Sequence, residues 1–268
     1  MAKFVWMTDI HLDCLGQSQI IEWCQKVKQN NIDCEGVLIT GDIALAPILF
    51  ASLRTLREHL EMPLWFVCGN HDFWDGSIVE IRKEILKGDL AKDGIVWLGG
   101  VEYVPFGESI ALVGHDGWYD ALNGDPKKSR FVMNDWFRTE EFSGNLHNVV
   151  STARKLAAGA VTHIENACNK AIDDGRTKII MLTHFPPFAE SCFYRGQRTH
   201  EHALPWYSSR MMGEALSLLS EKHPAINFTV LCGHTHSFSD IAIRPNLRVV
   251  VGNSDYGSPD SNMIGVTE

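Results

Sequence analysis

Short apolar, β-branched runs punctuate the chain at residues 4–7, 37–40, 64–68, 110–113, 179–183, 228–232 and 248–251, and each breaks off at a polar or glycine-containing turn. Unbroken apolar runs of this length predict strands covered on both faces of a sheet. Between the early runs the period changes. Residues 20–28 and 49–60 carry apolar side chains at helical spacing, the second with Pro63 just beyond its end. Strand and helix alternating in this way predict a layered α/β fold.

The middle of the chain has another pattern. Residues from about 95 to 113 predict hairpin strands with turns at Gly99-Gly100 and at Pro105-Phe106-Gly107. Residues 147–174 predict one long helix with Val150, Ala153, Leu156, Ala157, Ala160, Ile164, Ala167 and Ala171 on its apolar stripe, closed by Asp173-Asp174-Gly175. No Pro- or Ser-rich linker, repeat or low-complexity stretch divides the 268 residues, so a single domain over 1–268 is the simplest organisation.

Composition narrows the classes of function. With 45% hydrophobic and 21% charged residues the chain has the make-up of a folded domain. A formal net charge of −9 disfavours a protein that tracks nucleic-acid phosphates, although a local basic patch stays open. No apolar run approaches the roughly 20 residues of a membrane-spanning helix, and the segment Met1-Ala2-Lys3-Phe4-Val5-Trp6-Met7 reads as a first strand rather than a signal peptide. The seven cysteines (14, 24, 34, 68, 168, 192 and 232) are odd in number and form no C-x-x-C pair, which points to reduced thiols in a cytoplasm. Cys68 and Cys232 fall within strand-like runs, as small buried cysteines do, and Trp6, Trp23, Trp65 and Trp97 read as core.

The chemistry lies where the strands end. The first run leads into Thr8-Asp9-Ile10-His11, the second into Gly41-Asp42 and the third into Gly69-Asn70-His71-Asp72. Later runs end in Thr183-His184 and in Gly233-His234-Thr235-His236. Ligands of open α/β sheets bind at the carboxyl ends of the strands, so five strands deliver Asp, Asn and His to one edge. Within Asp9-x-His11 and His234-x-His236 the period of two puts both members on one side of an extended backbone. Imidazole, carboxylate and amide oxygen suit Zn, Fe or Mn. Seven ligands are too many for one tetrahedral ion and fit two ions that share a carboxylate. The glycine before Asp42, Asn70 and His234 lets the backbone turn tightly.

In this order, D-x-H, G-D, G-N-H-D, a lone His and G-H-x-H, the sequence resembles the calcineurin-like metallophosphoesterase superfamily, with motifs running from Asp9 to His236. The resemblance implies two mixed β-sheets packed as a sandwich flanked by helices, a four-layer α+β arrangement with its dinuclear metal site at the strand C-termini. It implies that Asp9, His11 and His236 hold one divalent ion, that Asn70, His184 and His234 hold the other, and that Asp42 bridges them. A hydroxide generated between the ions would attack a phosphomonoester or phosphodiester, His71 would protonate the leaving group, and Asp72 would orient His71 or simply stabilise its turn. G-N-H-D, rather than G-N-H-E, is more similar to the diesterase and nuclease branches, and the acidic balance favours a small, soluble, nucleotide-like diester. A Ser/Thr-type protein phosphatase and a binding module without catalysis are the alternatives.

Two segments bear on specificity. Residues 115–120, with His115 and Tyr119, end near a sheet edge and would either line the substrate pocket or form a turn around a packed Trp118. Residues 193–206, beyond Pro186-Pro187, read as a long loop whose Arg195 or Arg198 would grip a phosphate, or as a solvated basic loop carrying His200 and His202. Residues 125–142 carry Lys127, Lys128, Arg130, Trp136 and Phe137 and read as ordinary surface and core packing in preference to a second cap. Cap or lid segments are thus expected at about 115–145 and 186–210.

Overall fold

The computed structural model describes residues 2–142 and 144–266. In chain order, β1 (Ala2–Met7), β2 (Gly36–Thr40), β3 (Leu64–Val67) and β4 (Ile95–Trp97) build a first sheet of parallel neighbours. A second sheet starts with β5 (Val104–Phe106), β6 (Ile110–Gly114) and β7 (Lys178–Leu182). The pair β8 (Phe193–Tyr194) and β9 (Gln197–Arg198) stands apart as a small hairpin. Then β10 (Asn227–Cys232), β11 (Ser239–Arg244) and β12 (Leu247–Val251) complete the second sheet, and β13 (Asn262–Val266) returns antiparallel to β1. The sheet orders are β13-β1-β2-β3-β4 and β11-β12-β10-β7-β6-β5, both mixed, and all seven apolar runs are strands.

Register explains why those runs do not alternate. Trp6 lies opposite Leu38, and Leu38 opposite Trp65. These side chains, with Phe4 and Val67, face Leu98, Ile110, Leu112, Ile180, Leu182, Leu231 and Val250 across the interior. Their sequence neighbours face the helices. Val5, Met7, Val37, Ile39, Leu64 and Phe66 pack under α1 (Gln17–Asn30), α2 (Leu49–Leu60) and α3 (Ile78–Ile85). After the short α4 (Asp89–Lys92) and α5 (Asp135–Arg138) comes α6 (Leu146–Asp173). Beyond it lie α7 (Leu204–Tyr207) and α8 (Arg210–Lys222). The outer face of the second sheet, including Ala111, Val113, Ile179 and Val230, is covered by α6 and α8. Both faces of the central strands β1, β2, β3, β6 and β7 are therefore dry, and each buried Leu, Ile or Phe contributes about 2 kcal/mol.

The alanine stripe of α6 crosses from one core to the other. Ala153 and Ala157 belong to the first cluster, Ala160, Ala167 and Ala171 to the second. Asn145 caps its N-terminus by accepting from the Asn148 amide, and the chain leaves through Gly175 at φ +85°.

Residues 95–113 bear out the second half of the hairpin expectation, since β5 and β6 pair antiparallel, and depart from the first half. Strand β4 pairs parallel with β3 in the first sheet, and Gly99-Gly100 belongs to a single helical turn, Leu98–Gly100, that carries the chain to the second sheet. Pro105 and Phe106 lie within β5, an edge strand that tolerates a proline's missing donor. The turn begins at Gly107. Trp23 is only partly buried, unlike Trp6, Trp65 and Trp97. All seven cysteines are free, and no helix among the described residues is long and apolar enough to cross a membrane.

One buried carboxylate ties these layers together beneath the sheet edge. Asp116 Oδ1 accepts from the Cys68 amide and from Trp97 Nε1, both at 2.7 Å, and Oδ2 accepts from Arg82 Nε (3.0 Å) and Nη2 (2.8 Å). Its carbonyl accepts the His184 amide at 3.1 Å. Burial alone would raise this carboxyl, but Arg82, then His115 and the hydrogen bonds, outweigh it and leave it below the ordinary value. Arg82→Ala leaves that charge buried without its partner, and is expected to cost about 3–5 kcal/mol in urea unfolding. A loss within 0.5 kcal/mol would show that Asp116 is solvated after all.

Candidate metal centre

The seven strand-end residues converge, for a reason other than strand periodicity. Asp9 (φ 50°), His11 (39°), Asp42 (51°), His234 (69°) and His236 (52°) all adopt left-handed backbone, a conformation that side-chain-bearing residues rarely hold. Asp9-x-His11 and His234-x-His236 are thus tight turns, not extended segments, and the twist at each ligand aims the side chains inward. The glycines serve partly a second purpose. Gly41 turns at φ +91°, whereas Gly69 has an ordinary φ, and any Cβ on it would collide with the Asp42 carboxylate and amide.

The donor atoms fall into two groups. In the first, His11 Nε2 and His236 Nε2 face each other at 3.3 Å, His236 Nε2 lies 3.3 Å from Asp9 Oδ1, and His11 Nε2 lies 3.9 Å from Asp42 Oδ2. One ligand atom from each of these four residues lies within 4.8 Å of all the others. In the second, Asn70 Oδ1 is 3.1 Å from both His184 Nε2 and His234 Nδ1, and His184 Nε2 is 3.4 Å from Asp42 Oδ1. Asp42 offers one oxygen to each group.

Hydrogen bonds outside the groups fix which ring atoms point inward. The Thr40 carbonyl lies 2.8 Å from His184 Nδ1, and the Trp206 carbonyl 3.2 Å from His234 Nε2, so His184 Nε2 and His234 Nδ1 are the nitrogens turned to the site. Asn70 Nδ2 donates to Asp135 Oδ1 at 2.8 Å, which turns the amide oxygen to the site. Burial lowers His11 and His234. Burial also opposes a charged His184, but the Asp42 carboxylate outweighs it and raises that ring to about 10. For Asp42, burial is outweighed in turn by His184, His71 and His11, and the carboxyl stays far below its ordinary value. Buried carboxylates with imidazole lone pairs turned on one point suit divalent metal ions.

His71 and Asp72 part company. His71 Nε2 is 3.8 Å from Asp42 Oδ2, and its ring stacks on Trp74 at 3.4 Å between centroids. Asp72 does not orient it. Both Asp72 oxygens are taken by backbone amides, Oδ1 by Ile43 and Ala44 (2.8 and 2.9 Å) and Oδ2 by Gly69 (2.7 Å), which clamps the Asp42 loop to the Asn70 loop.

A cleft of about 840 Å³ opens over the donors, walled by Trp74, Phe131, Tyr194, Arg195, Phe238 and Tyr256 among others. Phe131, Tyr194, Phe238 and Tyr256 are exposed. The Tyr256 ring lies 4.3 Å from that of His11. Arg195 sits at the tip of the β8–β9 hairpin, its amide donating to Ser237 Oγ at 2.9 Å. Arg198 is exposed on β9, away from the cleft. His115 and Tyr119 do not reach it either: Tyr119 is 0% exposed, inside a cluster of Trp118, Phe142, Phe185 and Trp206, and the His115 ring packs beside Trp97 and His163. Residues 125–142 are more than surface packing, because Phe131, Val132, Met133 and Asn134 line the cleft and Asp135 holds Asn70.

Trp74, Asp135 and Tyr256 escaped the sequence reading. An amide ligand needs an acceptor for its nitrogen, which called for a buried carboxylate but not for one 65 residues away. Tyr256 lies beyond the last motif, in a stretch without periodicity.

A family model described as calcineurin-like phosphoesterase matches residues 2–238. The chain belongs to the calcineurin-like phosphoesterase family. It is a phosphoric ester hydrolase, and the motif order, the mixed sheets and the Asp/His cluster all agree with that membership. No curated protein matches this phosphoesterase by sequence. Among solved structures it is similar to a phosphopantetheinyl hydrolase from Mycobacterium tuberculosis, at 15% identity and a TM-score of 0.64, over 94% of this chain and 89% of that one. It is also similar to a dimetal phosphatase from Danio rerio, at 14% identity and a TM-score of 0.57, over 93% and 86%. At such identities the likeness is one of fold.

Because each Asp42 oxygen faces a different donor group, Asp42→Ala is expected to strip all bound metal from the phosphoesterase, read by elemental analysis after gel filtration; full retention would refute a shared carboxylate. A cation must displace the proton that Asp42 stabilises on His184, so metal binding should release protons, and metal content should fall as the solution is acidified and recover on neutralisation.

Proposed function

We propose that this phosphoesterase uses two divalent cations of the manganese, iron or zinc type to hydrolyse a small, nucleotide-like phosphodiester, as one catalytic domain whose cleft walls include residues 131–134 and the tip of the β8–β9 hairpin. The observation that carries the reading is the pair of donor groups that share Asp42 on the floor of an aromatic-walled cleft. Among the described lining residues Arg195 is the single Lys or Arg. One fixed cation suits the single charge of a diester better than the double charge of a monoester, and exposed rings suit a stacked base. Seven free cysteines support a reducing, cytoplasmic setting.

When bound, the cations supply Lewis acidity and acidify water at the site. The protein supplies the rest. Asp9, His11 and His236 would hold one cation, Asn70, His184 and His234 the other, with Asp42 between them. Asp72 keeps the Asp42 and Asn70 loops in register, and Arg195 takes a phosphate oxygen that does not react. His71, braced by Trp74, holds the proton for the leaving oxygen. Burial pushes His71 down to about 4, against the pull of Asp42, so it is neutral in the free enzyme at pH 7. An anionic phosphate beside it works against that burial and raises its proton affinity.

Purified chain loaded with Mn²⁺ should carry two metal equivalents and hydrolyse bis(p-nitrophenyl) phosphate but not phosphopeptides. Phosphopeptide turnover without diester turnover would favour a protein phosphatase instead, and full activity without metal would end the reading. His71→Ala should keep both metals and lower kcat by about 10²–10⁴-fold, least for good leaving groups. A uniform loss across leaving groups would remove His71 from proton transfer.

A further inference from the structure

The two donor groups are anchored in different parts of the fold. Asp9 accepts from Thr8 Oγ at 2.6 Å and from the His234 amide at 3.0 and 3.1 Å, and Ser254 Oγ donates to its carbonyl at 2.6 Å. The Asp9 and His11 amides bond the Gly41 and Asp42 carbonyls, both at 3.0 Å. Every one of these partners is a strand-end residue of the sheets or of the loop beyond β12. His184, in the other group, is likewise held by the end of β2 through the Thr40 carbonyl.

Asn70 and His234 are oriented from outside the sheets. The Asn70 amide nitrogen is held by Asp135 of α5, and His234 Nε2 by the carbonyl of Trp206 in α7. These two segments interlock. The Trp136 and Trp206 rings meet edge to face at 5.0 Å, Trp206 Nε1 donates to Ser129 Oγ at 2.7 Å, and Ser129 Oγ donates to the His202 carbonyl at 2.6 Å.

An asparagine is an ambiguous ligand, because a half-turn of its amide exchanges a cation-binding oxygen for an N–H₂ that repels cations. At Asn70 the choice is made by Asp135 Oδ1, fully buried, which accepts from the amide nitrogen and so leaves the oxygen facing His184 and His234. The same Asp135 oxygen accepts Trp74 Nε1 at 2.7 Å, and Trp74 is the platform under His71.

We propose that Asp135 is a positioning residue that sets the ligating face of Asn70, so that the cation held by Asn70, His184 and His234 depends on the α5–α7 segments while the cation held by Asp9, His11 and His236 depends on the strand ends and the loop beyond β12. This rests on the two-cation reading above. Loss of Asp135 frees the amide to turn and weakens one cation selectively. Asp135→Asn keeps an oxygen acceptor for both donors and preserves it.

The test uses the full chain and Mn²⁺ alone, with calorimetric titration and metal content after gel filtration. Wild type should bind two equivalents. Asp135→Ala should keep one at wild-type affinity and bind the other at least tenfold more weakly, and Asp135→Ser, too short to reach the amide, gives the same readout where Asp135→Ala does not fold. Asp135→Asn and Trp74→Phe should both retain two. The inference is overturned if a folded Asp135→Ala or Asp135→Ser variant binds both ions as wild type does or loses both together, or if Asp135→Asn loses one. A wild-type chain that binds fewer than two ions overturns the two-cation reading instead.

Discussion

The sheet edge is organised by a single shared carboxylate. Asp42 presents its two oxygens to two sets of donors, and to do so it sits on a left-handed turn with a glycine backbone packed against it where no side chain could fit. Five of the seven candidate ligands hold the same unfavourable backbone hand. Strain of this kind costs on the order of 1–3 kcal/mol per residue and persists only where the surroundings over-determine it. Here the surroundings are two sheets whose central strands are dry on both faces, together with Asp72, which takes three backbone amides of the ligand loops, and Asp116, which joins the Cys68 amide to Trp97 and Arg82. The core is rigid enough to hold the ligand loops in conformations they would otherwise leave.

Much of this was legible in the sequence because it is written in local, periodic terms. A strand covered on both faces must be apolar throughout, so β1, β2, β3, β6, β7, β10 and β12 announce themselves, and polar residues at their ends stand out against that background. The alanine stripe of α6 is visible for the same reason. What stayed hidden depends on partners distant in sequence. Whether residues 95–97 pair with β3 or with β5 is decided by where a helical turn redirects the chain, and the glycines there were open to either use. Adjacency left Asp72 open between a partner of His71 and a stabiliser of its turn, and the three amides from two loops that take its oxygens agree with the second. His115 and Tyr119 follow a strand as the ligands do, but their segment turns into an aromatic core instead of towards the cleft.

The division of labour between sheets and appended segments gives the site two kinds of support. Strand ends place donors to within the tolerance of a hydrogen-bonded ladder. The segments around α5 and α7 add the choices that backbone position leaves open, such as which nitrogen of His234 and which atom of the Asn70 amide looks inward. Those segments also supply walls to the cleft, so what shapes the space above the floor also trims the floor itself.

The exposed aromatic rim has a colloidal consequence. Phe131, Val132, Tyr194, Phe238 and Tyr256 stand exposed around one opening, and an apolar patch of this kind is where monomers adhere to one another. A molecule seated in the cleft hides part of that rim from neighbouring copies. Occupancy of the cleft and resistance to self-association are thereby properties of one surface, and a concentrated solution of this protein should clear or cloud with whatever fills its mouth.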